Sequence, residues 1–314
     1  MDKFLITGGA GFIGSNIADR LLEQGHSVRV IDNFLTGKRE NLSKALNSRR
    51  FELIEGDIRN LDTVRRACEG IDFVLHEAAI PSVPRSIDDP IATNEVNING
   101  TLNVLKASYE NKVRRVVYAA SSSAYGDTAV LPKKEDIIPS PLSPYAVSKL
   151  TGEYYCRVFT SVYGLETVSL RYFNIFGPRQ DPNSTYAAVV PRFITAMLKG
   201  ESPTVYGDGE QSRDFTYIEN VIHANINACY ASPAAAGRVL NIACGTRFTL
   251  NTVLRKLEEI FDKKANPKYL PPKKGDVKHS QADITNAANY IQYKIEVDFE
   301  TGLRRTVDYF ALIV

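Results

Sequence analysis

Thr7-Gly-Gly-Ala-Gly-Phe-Ile-Gly14 closes the apolar run Lys3–Thr7 and opens an amphipathic pattern over Phe12–Gln24. Its glycines, Gly8, Gly11 and Gly14, follow a GxxGxxG spacing. Glycine permits the tight turn between a strand and a helix and lets backbone come close to a pyrophosphate. The helix that follows offers unpaired amides and the positive end of its dipole. Glycines also serve ordinary turns, but the position between strand and helix is the one this mechanism requires. Phe12 and Ile13, inside the same turn, belong to the predicted cofactor site.

Working outward, short apolar runs alternate with helical patterns. Strands are expected at Ser27–Ile31, Phe51–Glu55, Phe73–His76, Val113–Ala119 and Thr167–Arg171, and helices at Leu61–Cys68, Asn94–Glu110 and Pro144–Tyr163. That alternation predicts an α/β fold, a Rossmann-type doubly wound parallel sheet with right-handed crossovers. Past Arg171 the rhythm breaks. Gly177–Ser184 reads as a loop, a helix follows near Val189–Lys199, and Pro267–Gly275 reads as a second loop. Val239–Ala243 again looks like a sheet strand. Residues 1–174 and about 217–244 are therefore expected to form the dinucleotide domain. Residues 175–216 and 245–314 are expected to form a smaller mixed α/β substrate region.

Asp32 ends the second strand, where a carboxylate accepts hydrogen bonds from the adenosine ribose and repels a ribose phosphate, favouring NAD over NADP. Lys38 and Arg39 leave room for a phosphate, or begin a solvated helix. Asp57, after the third strand, is expected near the adenine amine, and Ala78 and Ala79 leave space for pyrophosphate and ribose. Asn33, Ile58 and Asn97 complete the predicted cofactor contacts.

A second motif lies more than a hundred residues downstream: Tyr145-Ala-Val-Ser-Lys149, preceded by the serine run Ser121–Ser123. Four residues apart on a helix, Tyr145 and Lys149 share a face. Free tyrosine, with a pKa of about 10, is a poor base at neutral pH. A neighbouring ammonium stabilises the phenolate, which can then take a hydroxyl proton as hydride leaves the same carbon. Ser121 would orient that hydroxyl. Isolated, such a pair is an ordinary surface feature; beside a dinucleotide loop it reads as catalytic.

Composition narrows the field. The 314 residues carry a net charge of +2 and 44% hydrophobic residues, enough for a full core and no electrostatic case for nucleic acid. No apolar stretch has the length of a membrane span, and the N-terminus does not read as a signal peptide. Cys68, Cys156, Cys229 and Cys244 form no close pair, which predicts reduced thiols in a cytoplasmic protein. His26, His223 and His279 lack metal-ligand spacing, and His76 reads as a core histidine.

Five further stretches, SSSAYGD (Ser121–Asp127), PLSPYAVSK (Pro141–Lys149), LRYFNIFGPRQ (Leu170–Gln180), SRDFTYIENV (Ser212–Val221) and GDVKHSQADI (Gly275–Ile284), extend the likeness over essentially the whole chain. With them the sequence resembles the extended short-chain dehydrogenase/reductase family. Within it, the chain is most similar to nucleotide-sugar 4-epimerases acting on UDP-N-acetylglucosamine and UDP-glucose. The resemblance implies that Tyr172 lies against the nicotinamide and Asn174 near the substrate phosphates. It implies that Val190 and Tyr206 flank the uracil, Arg213 pairs with the pyrophosphate, and Asp276 meets the uridine ribose. Ser82 and Ser122 are expected at the sugar. By the same resemblance Ser280 gates the substituent on sugar carbon 2, although a serine there also suits the cap of a helix starting near Gln281. Dehydratases of the family carry an Asp-Glu pair, and decarboxylases a glutamate, where this chain has Ser122 and Ser123. The resemblance also implies a homodimer through a four-helix contact of Asn94–Glu110 and Pro144–Tyr163. A UDP-uronate 4-epimerase, another sugar-nucleotide dehydrogenase and a non-catalytic NAD-binding regulator stay open as alternatives.

Overall fold

The computed structural model describes residues 1–182, 188–272 and 277–314. Strands β1 (Lys3–Thr7), β2 (Ser27–Asp32), β3 (Phe51–Glu55), β4 (Phe73–His76), β5 (Arg115–Ser121) and β6 (Glu166–Tyr172) come first. The short strands β7 (Ile175–Phe176), β8 (Thr204–Tyr206), β9 (Ser212–Arg213) and β10 (Thr216–Tyr217) precede β11 (Arg238–Ile242), and β12 (Phe248–Thr249) and β13 (Lys268–Leu270) follow. One parallel sheet runs in the order β11-β6-β5-β4-β1-β2-β3. The order reverses between β1 and β4, and ligands of such sheets bind outside the carboxyl ends of the strands at that point.

Helices α1 (Phe12–Glu23), α2 (Leu61–Cys68), α3 (Val83–Asp88), α4 (Pro90–Asn94), α5 (Thr101–Glu110), α6 (Pro144–Tyr163), α7 (Val189–Leu198), α8 (Ile218–Tyr230), α9 (Leu250–Phe261), α10 (Thr285–Ile291) and α11 (Phe299–Ala311) complete the architecture. Side chains alternate across the sheet. Phe4, Ile6, Leu75, Val117 and Leu170 face α1 and α8, packing with Ile17, Leu21 and Val221. Leu5, Val74, Val116 and Tyr118 face α2, α5 and α6, packing with Val64, Val104 and Phe159. Each such fully buried aliphatic or aromatic side chain contributes about 1.5–3 kcal/mol. The first of these clusters continues into α7, α9 and α11, so one apolar core joins the sheet to the smaller region.

Three expectations change. The helix expected at Asn94–Glu110 begins earlier, at Pro90, where the Asp89 side chain accepts from Ala92 N at 3.0 Å. It then passes through a π turn, Glu95–Gly100, before α5. The segment read as a loop from Pro267 contains β13, because Lys268–Leu270 pairs with Thr204–Tyr206. No helix starts at Gln281, so Ser280 caps none; its amide bonds Ser212 O at 3.0 Å, and the next helix begins at Thr285. The predicted substrate residue Asp276 lies outside the described residues.

Candidate active site

At the carboxyl end of the sheet a cleft of about 710 Å³ is lined by Gly8, Gly11, Phe12, Ile13 and Gly14 from the first turn. Asp32, Asn33, Asp57, Ile58, Ala78, Ala79 and Ser82 line it from later turns. Gly8 adopts φ +68°, and a Cβ there would stand 2.7 Å from Ala78 Cα. That strand-to-strand contact holds the loop low enough to admit a ligand over its amides. Asp32 is buried, and both its oxygens accept backbone amides, from Ala10 and from Phe34, each at 2.8 Å. Burial pushes its pKa up, and those two bonds oppose the rise.

The neighbouring polar groups are mutually engaged. Asn33 donates to Asp57 at 2.9 Å. Arg59, 2.8 Å from Asp57, holds that carboxyl down at about 2. Lys38 pairs with Asp181 at 3.1 Å and Arg39 with Glu55 at 2.8 Å, so each cation already has a carboxylate partner. Asn97, expected among the cofactor contacts, is 1% exposed, and its amide is committed to both backbone groups of Ile80 and to Ser148, so it braces the cleft wall from behind.

Ser143 and Pro144 start α6: the Ser143 side chain accepts from Ala146 N at 3.2 Å, and Pro144 stands at the first helical positions. Tyr145 therefore sits in the first turn, its amide anchored on Ser86 Oγ at 3.0 Å. Burial raises its pKa, opposed by a hydrogen bond from Ser121. Ser121, at the end of β5, also accepts from Ser123 Oγ at 2.8 Å, and Ser122 continues that turn. Lys149 is 4% exposed; its Nζ donates to Ala119 O at 2.8 Å and lies 5.1 Å from the Tyr118 ring. The ammonium is thus held on β5, one turn along α6 from Tyr145. Gly152 makes this possible, since a Cβ there would stand 2.2 Å from Tyr118 Oη. His76 bonds Thr7 at 2.7 Å and Thr101 at 2.9 Å and is held neutral, its pKa driven down to about 3 by burial.

Outside the lining of this cleft, the pairing of 212–213 with 278–280 brings the predicted substrate residues Arg213 and Ser280 together. Arg213 Nη1 donates to Ser212 O at 2.9 Å and Lys278 O at 3.2 Å. Ser280 lies alongside, 7% exposed. Asn174, at φ +34°, donates to Asp214 O at 3.1 Å. Tyr206 stands under the Arg192 guanidinium at 5.7 Å. Val190, expected at the uracil, is 1% exposed and packs within the apolar core at α7. Tyr172 is buried, its hydroxyl 2.9 Å from Glu77 Oε1 and accepting from Asn225 Nδ2 at 2.8 Å.

Sequence reading passed over Glu77, Arg85, Arg179 and Gln180, all of which line the cleft. Glu77 carried a signal, a carboxylate directly before the Ala78-Ala79 turn. Arg179 and Gln180 lie within a motif read only for its loop. Glu77 Oε2, Arg179 Nη1 and Gln180 Oε1 are buried without partners among the described residues. Together with the glycine floor and Asp32 in the cleft lining, these unsatisfied groups fit a bound dinucleotide.

A model of the NAD dependent epimerase/dehydratase family matches residues 4–243. The UDP-N-acetylglucosamine 4-epimerase of Methanobrevibacter ruminantium, solved with UDP-N-acetylmuramic acid, superposes with a TM-score of 0.95 at 41% identity, covering 100% of this chain and 99% of that one. The Bacillus cereus UDP-glucuronic acid 4-epimerase, solved with UDP-glucuronic acid and NAD, gives 0.93 at 35% identity, covering 99% and 100%. The UDP-glucose 4-epimerase of Mycolicibacterium smegmatis is 35% identical over 310 residues, 98% of each chain.

Proposed function

The chain belongs to the NAD dependent epimerase/dehydratase family, and on that premise we propose that it is a 4-epimerase of UDP-hexoses. It interconverts UDP-N-acetylglucosamine with UDP-N-acetylgalactosamine, and UDP-glucose with UDP-galactose. The observation that carries this reading is the convergence of Ser121, Tyr145 and Lys149 beside the cofactor cleft, with serines at 122 and 123 where other chemistries of the family need acids. Those hydroxyls cannot eliminate water, which leaves oxidation and re-reduction at one carbon.

NAD, when bound, supplies hydride acceptance and return at sugar carbon 4. Every proton step belongs to the chain. Tyr145 as phenolate takes the 4-hydroxyl proton, and Ser121 keeps that hydroxyl in line. Lys149 adds the positive charge that favours the phenolate. Arg213, a planar guanidinium suited to phosphate oxygens, anchors the diphosphate while the 4-keto hexose turns its other face. Tyr145 then returns the proton. We assign residues 1–174 and about 217–244 to the cofactor and the remainder to the UDP-sugar. Asn174, Tyr206 and Asp276 contact the nucleotide, and Ser280 admits an N-acetyl group at carbon 2. The enzyme is assigned as a cytoplasmic homodimer; its four cysteines are free and buried, and no helix among the described residues is long and apolar enough to cross a membrane.

One observation favours a second reading, a UDP-uronate 4-epimerase. Arg85 lines the cleft beside Ser86, the anchor of Tyr145, and its guanidinium has no partner among the described residues, so a uronate carboxylate would suit it. A proton NMR time course with UDP-N-acetylglucosamine, UDP-glucose and UDP-glucuronate, without added NAD, separates the readings. Turnover of the two hexoses supports the first, and turnover of the uronate alone replaces it with the second. In Ser280→Tyr the acetylated substrate is lost selectively; equal loss of both hexoses overturns the gate.

A further inference from the structure

Glu77 has no role in the mechanism above, yet it lines the cleft directly after β4, the strand that pairs with the one holding Lys149. Register places it: β4 pairs with β5 at His76↔Tyr118, and one more residue sets Glu77 alongside Ala119. Ala119 O is where Lys149 Nζ is held, at 2.8 Å. Tyr118 belongs to the α6 face of the sheet and Ala119 and Tyr172 to the α8 face. The Glu77–Tyr172 bond, 2.9 Å long, therefore reaches from β4 to β6 over the last residues of β5. Asn225 of α8 steadies the Tyr172 hydroxyl, and Thr7 O of β1 accepts from Glu77 N at 3.2 Å. One carboxylate oxygen is thereby fixed, while Oε2 is buried with no partner among the described residues.

Resting on the epimerase reading, we propose that Glu77 is a positioning residue. Its carboxylate, held by Tyr172 across the end of β5, is the counter-charge that keeps Lys149 an ammonium and, through it, keeps Tyr145 a usable phenolate. The groups around Lys149 single it out. Glu153, on the same helix, is matched by Arg171 through two bonds of 2.9 and 2.7 Å. Cys156 is a thiol whose pKa burial drives up to about 12, and His76 is neutral. Tyr118 faces the ammonium with its ring, and Cys229 bears on Tyr172 from α8. Glu77 is then the uncompensated carboxylate. Burial drives the Lys149 pKa down, and Glu77 is foremost among the charges that oppose the fall. Burial drives the Glu77 pKa up, opposed by Tyr172 and Lys149.

Glu77→Gln keeps the shape and removes the charge. Lys149 then loses its proton at lower pH, so the alkaline limb of the kcat profile moves acid by about one pH unit or more, roughly a tenfold loss of rate on that limb. Glu77→Asp keeps the charge and restores the limb toward wild type. Independently of turnover, ultraviolet titration of the tyrosinate, with Tyr145→Phe as the blank, shows Tyr145 ionising at higher pH in Glu77→Gln. Profiles that superimpose, or a rate lowered equally at every pH with both limbs unmoved, overturn the proposal. If wild type and Tyr145→Phe turn over equally, the epimerase mechanism itself fails, which is a distinguishable result.

Discussion

In the proposed mechanism Tyr145 carries the heaviest chemical burden, and its environment sets the size of the effect expected on removing it. The residue is half-buried, its pKa raised by burial and opposed by Ser121, so the phenolate depends on groups brought to it. A general base contributes about 10²–10⁴-fold; Tyr145→Phe is expected to lower kcat by about 10³-fold while cofactor and UDP-sugar binding, read by calorimetry, persist. Loss of binding in step with rate would place Tyr145 in the frame instead of the reaction. Most of these residues were legible from sequence because their spacing encodes their geometry: Gly8 to Gly14 bracket one turn, and Tyr145 and Lys149 share one helical face. The settings of Glu77, which sequence reading passed over, and of Asn97 were not legible because they depend on partners far away in the chain, Tyr172 for one and Ile80 and Ser148 for the other.

Helix α6 is the element through which the proposed mechanism draws on packing. Ser143 caps it, Gly152 lets it lie against Tyr118, and Glu153 is tied to Arg171 on β6, both at 3% exposure or less. Arg171 also stacks 4.5 Å from the Tyr125 ring. Removing one charge of a buried pair strands the other and costs about 3–5 kcal/mol. Glu153→Gln should therefore lower the melting temperature by roughly 5–15 °C, and Glu153→Gln with Arg171→Met should recover much of that. A double variant no more stable than the single would remove the ion pair from this role. The helix was plain in the sequence because its cap, proline and apolar spacing agree. The π turn before α5 was not; it ends at Gly100, whose close seat against Ile58, where a Cβ would stand 2.5 Å from Ile58 Cδ1, is a contact distant in the chain.

Across the assembled fold, the parallel sheet could be read from strand-helix alternation, and β11 from its apolar run. The short pairings β8–β13 and β9–β12 could not, since two- and three-residue strands have no periodicity of their own. The surface adds a feature that patterning left implicit. Val147, Tyr154, Val158 and Val162 of α6 are each 45–70% exposed, and their 7-, 4- and 4-residue steps put them on one helical face. Exposed Tyr109 of α5 stacks edge-on with Tyr163 beside them. A contiguous apolar stripe marks an association surface, which supports the proposed homodimer. Val158→Asp should turn a dimer in sedimentation into a monomer of 34.9 kDa; a wild-type protein already sedimenting as a monomer would refute the assignment.

Oxidation and re-reduction at carbon 4 make a demand that inversion by proton abstraction from that carbon does not share: the hydrogen on it leaves and returns without meeting solvent. Proton NMR of the reaction on UDP-N-acetylglucosamine in D₂O, with no NAD added, reads this directly. The galacto product should form with protium retained at carbon 4. Deuterium at that carbon would mean that inversion proceeds by proton exchange with solvent, and the mechanism built on Tyr145 and a bound nicotinamide would be wrong.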